Sequence, residues 1–317
     1  MARMTISSNY EGTAAVPFVA PAILSADTIA NGYCSVLDNV RFKTNLRKVS
    51  GGTVEARSCD FDVSNGSLAI SDVQLELTEL QVNEEICNHE LATSWASAQM
   101  RGAFAAVPGD YEQFLAQYVA SRVAEDVEKN IWSGKYDHTD GSTSGTGVPV
   151  LFDSIMSRYV ASAGTHETTL VGAFTAESPS TGVDTGIATQ LAALVASLPD
   201  ALIGDANTKI YMSRKSFQLY FQFLASDTNN PVLATQMAKF YLGYEIITPA
   251  GFPDDTLLAS RVDNLYFGTN VLTDHVEARF IDLRNTTGAD LTRILMMFDG
   301  GTQIVDEASM ACVRRSA

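Results

Sequence analysis

The sequence predicts an α+β fold in which several strands gather around one long helix. Three observations carry that reading: a β-prone excursion with glycine turns near the start, a helical-period run after Pro108, and a closing stretch that is almost entirely β-like. The 317 residues are 46% hydrophobic and 18% charged, too apolar and too weakly charged for a disordered chain. Their number suits one large or two intimate domains.

Residues 1 to 37 mix small and apolar groups with Asn9, Gly12, Pro17 and Pro21 and keep no period, which predicts an extended arm. From Asn39, apolar Val40, Phe42 and Val49 alternate with Arg41, Lys43, Arg47 and Lys48 up to Gly51-Gly52, and a second β-prone run spans Thr53 to Cys59. Two such runs meeting at Gly-Gly predict a hairpin, because glycine accepts the positive φ of a tight turn. After Ser64-Asn65-Gly66, Val73, Leu75 and Leu77 recur at every second position, as a half-buried strand requires.

Between Asn83 and Met100 the spacing of Ile86, Cys87, Leu91, Trp95 and Ala98 fits a helix face. Pro108-Gly109-Asp110 then leads into the clearest helix, with Asp110 as its N-cap and Gln113 completing a capping box. Tyr111, Phe114, Leu115, Tyr118, Val119, Val123, Val127 and Ile131 form its apolar stripe, and Glu112, Arg122, Glu125, Glu128 and Lys129 are assigned to the opposite face. At 1.5 Å per residue, such a helix is a rod of roughly 30 Å.

Two polar stretches, 138–147 and 163–184, read as long surface loops. Asp184 and Ser213 are expected to cap helices bearing Ile187, Leu191 and Leu194 and Phe217, Tyr220 and Phe221 respectively, with a buried strand at Ile210-Tyr211-Met212, a short helix after Pro231 and a strand at Tyr244 to Thr248. From Thr256 onward, β-like runs separated by Asp263-Asn264, Asn285 to Gly288 and Asp299-Gly300-Gly301 predict an antiparallel meander.

Catalytic constellations are absent from the pattern. His89 lies two residues from Cys87, so on a helix the two point apart; no i, i+4 metal pair exists. His138 and His166 fall in polar loops, and Asp274-His275 reads as a turn. The glycine-rich stretch at 141–147 lacks the lysine of a phosphate-cradling loop. Cys34, Cys59, Cys87 and Cys312 are far apart and read as thiols in a reducing cytoplasm rather than a disulfide framework. No apolar run reaches the roughly 20 residues of a membrane span, and no secretory signal is visible at the N-terminus.

A formal net charge of −16, from 37 acidic against 21 basic residues, excludes a surface whose main task is gripping phosphates. Arg41, Lys43, Arg47, Lys48 and Arg57 stand out against it. They suit either a solvated hairpin face or a positive finger laid on the acidic surface of a neighbouring copy.

The order of these parts, together with Asn264-Leu265-Tyr266-Phe267-Gly268-Thr269-Asn270 followed by Asp274 and the strand Val276 to Asp282, resembles the major capsid proteins of tailed double-stranded DNA bacteriophages. The resemblance implies the HK97-type capsid fold: an N-terminal arm at 1–37, an E-loop region at 38–80, and a P-domain at 81–180 with its spine helix at 110–132. An α/β A-domain would span 181–261, with strands returning to the P-domain at 262–317.

It further implies a structural, non-enzymatic protein without cofactor or metal, assembling in the host cytoplasm into the hexamers and pentamers of an icosahedral virion shell. Its expected partners are other copies of itself, a portal, separate scaffolding or decoration proteins, and packaged DNA enclosed without sequence-specific binding; no membrane is involved. No large N-terminal cleavage is expected. An encapsulin-like cellular compartment is the alternative within that fold. A hydrolase or binding protein with its site in the loops of His138 and His166 is the alternative outside it.

Overall fold

The computed structural model describes residues 8–11, 26–51, 69–87, 108–134, 136, 151–162, 166–170, 172–176, 185–227, 239–270, 277–283 and 287–315. In chain order, β1 (Ser8–Glu11), α1 (Asp27–Ala30), β2 (Ser35–Leu37), β3 (Lys43–Ser50), β4 (Ala69–Glu76) and β5 (Thr78–Cys87) precede the long helix α2 (Pro108–Ser133). Next come α3 (Ile155–Ala161), β6 (Glu167–Leu170), α4 (Ile187–Ala196), β7 (Thr208–Met212), α5 (Arg214–Asp227), β8 (Phe240–Tyr241) and β9 (Tyr244–Ile247). The last five elements are β10 (Thr256–Arg261), β11 (Leu265–Thr269), β12 (Glu277–Asp282), β13 (Leu291–Ile304) and β14 (Met310–Arg315).

The first sheet is organised on β13. β12 and β11 pair antiparallel along one edge of it, β5 pairs along the other, β1 extends the sheet beyond β12, and β2 runs parallel to β11. Asp299-Gly300-Gly301, expected as a turn, instead lies inside this 14-residue strand. Gly301 answers a different need, close approach of backbone. A Cβ on Gly301 would sit closer than 3.0 Å to the Glu76 carbonyl oxygen.

Two further expectations change here. Asn83 to Cys87, read as the start of a helix, is the end of β5, because β13 offers it ten consecutive partners from Leu291 to Gly300. Leu91, Trp95 and His89 lie outside the described residues. β3 takes its partner from β4, with Val49 opposite Ile70 and Lys43 opposite Glu76; the run Thr53 to Cys59 lies outside the described residues. The stretch read as an extended arm also contains the single helical turn α1.

The second sheet, in the order β6, β14, β10, β7, β9, β8, carries α4 and α5. The closing strands therefore do not form one meander: β10 and β14 belong to this sheet and β11 to β13 to the first. Ile210, Tyr211 and Met212 are buried in β7 as expected, and the Ser213 hydroxyl caps α5 by accepting from the Ser216 N–H at 3.1 Å. The expected cap Asp184 and the helix after Pro231 lie outside the described residues. Gly186 occupies the N-cap position of α4.

Helix α2 begins at Pro108, two residues before the expected cap, where a proline lacking its N–H costs the helix nothing. Its buried stripe, Val119, Val123, Val127 and Ile131, packs on Ile294, Met296 and Phe298 of β13 and reaches Tyr211, Leu258 and Cys312 of the second sheet. One core thus joins the two sheets. A second, with Leu191, Leu194, Ile210 and Leu257, lies under α4 and α5. No described helix is long and apolar enough to cross a membrane.

Candidate assembly surface

Two features project from or grip this body: the β3–β4 hairpin, and the anchor of residues 26–37 on α2. Within the anchor, the Thr28 N–H and hydroxyl donate to the two oxygens of Glu128 at 2.9 and 2.6 Å, and the Trp132 indole N–H donates to the Thr28 hydroxyl at 2.6 Å. All three residues are buried, Glu128 to 3% exposure. Asp27 adds an acceptor for the Ala250 N–H, and the Tyr211 hydroxyl donates to the Tyr33 carbonyl at 2.8 Å.

Charge alone assigns Glu128 to the solvent face of α2, and the structure buries it. It lies four residues after Ala124 and four before Trp132, so the helical period itself places it on the buried stripe. That spacing is the signal that could have found it.

Burial pushes the Glu128 carboxyl up, and the hydrogen bonds from Thr28 only partly oppose the shift. A carboxyl raised in the fold gives stability that is complete below the ordinary glutamate range and is lost as pH rises through its raised value. As pH rises from the ordinary glutamate range through the raised value, unfolding curves of the wild type and Glu128→Gln are therefore expected to diverge, the variant gaining relative stability. Parallel curves in a denaturant series would count against a buried ionising group at this position.

The hairpin carries the basic residues singled out by the sequence. Lys43 pairs with Glu76 at 2.8 Å, Arg47 approaches Asp72 at 3.7 Å, and Lys48 pairs with Asp306 across to the body. The Lys43 hydrogen bond and charge hold the Glu76 carboxyl below its ordinary value. At Asp306 burial pushes upward, but bonds from Lys48 and Ser309 and the lysine charge prevail and hold it low. Arg41 is exposed with no ion pair among the described residues, and Arg57 lies outside them.

The structure thus brings Lys43, Arg47 and Lys48 onto one strand and matches each to a carboxylate. The Lys43 and Arg47 pairs are exposed, and ion pairs of that kind hold only weakly. Val49 and Ile70, opposite each other, are 59% and 64% exposed, so the hairpin also offers apolar surface that its own chain leaves uncovered.

His166, weighed as a loop ligand, contributes its backbone carbonyl, accepting from the Tyr159 hydroxyl and the Cys312 N–H. His138 and His275 lie outside the described residues. Cys34 and Cys312 are buried free thiols, and burial pushes Cys34 up to about 12, so neither is a ready nucleophile.

No family model matches the sequence, and no curated protein matches it. Solved structures do. A chain from the procapsid of satellite phage P4, determined with its size determination (Sid) protein, superposes with a TM-score of 0.62 at 14% identity, covering 95% of this chain and 90% of that one. The capsid of the native GTA particle gives 0.58 at 13% identity, covering 94% and 91%. A chain from Mycobacterium phage Ogopogo gives 0.55 at 11% identity, covering 92% of each. Over nearly its whole length, the chain has the fold shared by these phage and GTA particle structures.

Proposed function

We propose that this chain is the major capsid protein of a tailed-phage-type particle, a structural, non-enzymatic subunit whose copies form the hexamers and pentamers of an icosahedral shell around double-stranded DNA. The observation that carries the reading is the agreement with the P4 procapsid chain over 95% of the sequence, achieved at only 14% identity. In this assignment residues 1–37 are the arm, 38–80 the E-loop region, 81–180 the P-domain with α2 as spine, 181–261 the A-domain, and 262–317 the returning strands.

The physical logic is that of a closed assembly. An isolated two-stranded ribbon is marginally stable in water. In β3–β4, only the inner face rests on the body, Leu75 being fully buried while Val49 and Ile70 are exposed. A neighbour that covers the tip stabilises both copies, and symmetry repeats the contact until the shell closes. Arg41, Lys43, Arg47, Lys48 and Arg57 are the residues assigned to that contact, where they offset the repulsion between chains of net charge −16. An acidic wall also repels packaged DNA rather than holding it. Portal, scaffolding and decoration proteins complete the particle, which forms in the host cytoplasm.

The test is electron microscopy and sedimentation of the purified protein across concentrations, with and without the products of neighbouring genes. Closed shells or ring-shaped capsomers are the expected result. A monomer under every condition sinks the proposal. Nucleic acid inside isolated particles supports a genome container, and a protein cargo supports an encapsulin-like compartment instead.

A further inference from the structure

The inner face of β3–β4 lies on its own subunit. Thr44, Leu46 and Lys48 stand opposite Leu75, Val73 and Ser71, and all but Ser71 are buried or half-buried, while the Lys43–Glu76 and Arg47–Asp72 pairs occupy the outer face. Gly268 of β11 makes room at the base: a Cβ there would come within 2.7 Å of the Leu75 side chain and 2.9 Å of the Leu77 side chain. Packing at the base alone would leave the hairpin free to rock, because a two-stranded ribbon is only marginally stable by itself.

Among the described residues, two side-chain contacts tie the strands to the body beyond that base. The Gln303 amide donates to the Gln74 carbonyl at 2.9 Å, and Lys48 pairs with Asp306. The second is the outer one. At about 3.4 Å per residue, Lys48 sits roughly 17 Å along β3 from Lys43, so a tie there fixes the angle of the ribbon more closely than one at its root. It joins two full charges, and its side chains are less exposed than those of the Lys43 and Arg47 pairs.

Asp306 is held on every side. Its carbonyl accepts from the Asn264 amide and its N–H donates to the Asn264 side-chain oxygen, both at 2.8 Å, and Asn264 is itself buried. Its carboxylate accepts from the Ser309 hydroxyl at 2.6 Å and from the Ala308 N–H at 3.1 Å, capping the single turn at 307–309. We infer that Asp306 is a positioning residue for assembly: through Lys48 it holds β3–β4 at one angle to its own subunit, so that the hairpin reaches a neighbouring copy already aimed. This rests on the shell reading above, and it assigns Lys48 to the brace rather than to the contact between copies. An element held in its working orientation loses less freedom on association, so the brace favours assembly without touching the neighbour.

A double-substitution cycle tests it, read as the lowest protein concentration at which shells form. Asp306→Asn keeps a capping side chain and removes the charge. It and Lys48→Ala are each expected to raise that threshold about tenfold and the two together no further, and the charge-keeping Lys48→Arg to recover to within about threefold of wild type. Denaturant unfolding of the unassembled subunit is expected to be nearly the same for wild type and Asp306→Asn, because a partly exposed ion pair adds little to stability. A threshold that falls in Asp306→Asn overturns the inference, since it would mean that Lys48 serves a neighbour once freed. Additive effects of the two substitutions overturn it as well, as does a rise matched by an equal loss of subunit stability. Wild-type shells with an unmoved threshold in the variants overturn the brace alone, whereas no association of the wild type in any condition overturns the shell reading with it.

Discussion

Trp132→Ala is expected to lower the unfolding free energy by about 3–5 kcal/mol, the range for removing a fully buried large aromatic. Its ring lies 5.1 Å from that of Tyr211 and 5.2 Å from that of Phe252, centroid to centroid, so the substitution opens a cavity where helix, second sheet and the 249–252 turn meet. It also removes a donor to the Thr28 hydroxyl and so loosens the hold of residues 26–31 on α2. Trp132→Phe keeps most of the volume and deletes the donor with part of the ring, and is expected to lose about 1–2 kcal/mol. Denaturant unfolding separates the two: equal losses would mean that the hydrogen bond, not the packing, dominates.

That centre was half legible in the sequence. The period of Val119, Val123, Val127 and Ile131 announces the helix and its buried stripe, because local spacing alone decides which residues share a helix face. Ser213 announces α5 for a similar reason, a cap being a local bond. Thr28 and Glu128, by contrast, are 100 residues apart, and no local rule pairs them. The charge of Glu128 argued for solvent, while its position on the stripe argued for burial; the hydrogen bonds from Thr28 make burial tolerable.

The strands show the same division. Residues 83–87 satisfy helical and strand patterns alike, and only the distant β13 decides between them. The basic residues of β3 were visible as a cluster, but their carboxylate partners were not, since Asp72, Glu76 and Asp306 come from a partner strand and from the chain's far end.

Gly300 and Gly301 carry this argument to a measurable contrast. As neighbours in β13 they have equal conformational freedom, and a turn would need both. In the strand their surroundings differ. A Cβ on Gly300 would meet Leu80, Phe152 and Phe267 side chains at 3.5 to 3.7 Å, ordinary contact distance. On Gly301 it would overlap the Glu76 carbonyl oxygen and come within 3.3 Å of the Glu76 carbonyl carbon and 3.4 Å of the Leu77 Cα, all backbone that cannot rotate away. Gly301→Ala is therefore expected to cost about 2–3 kcal/mol, and Gly300→Ala less than about 1 kcal/mol. The displaced atoms join β4 to β5, so Gly301→Ala also re-aims the hairpin and is expected to abolish shell formation even where the subunit still folds. Thermal unfolding and sedimentation of both variants check this pair. Equal losses would show that backbone crowding at Glu76 is not what keeps glycine at position 301.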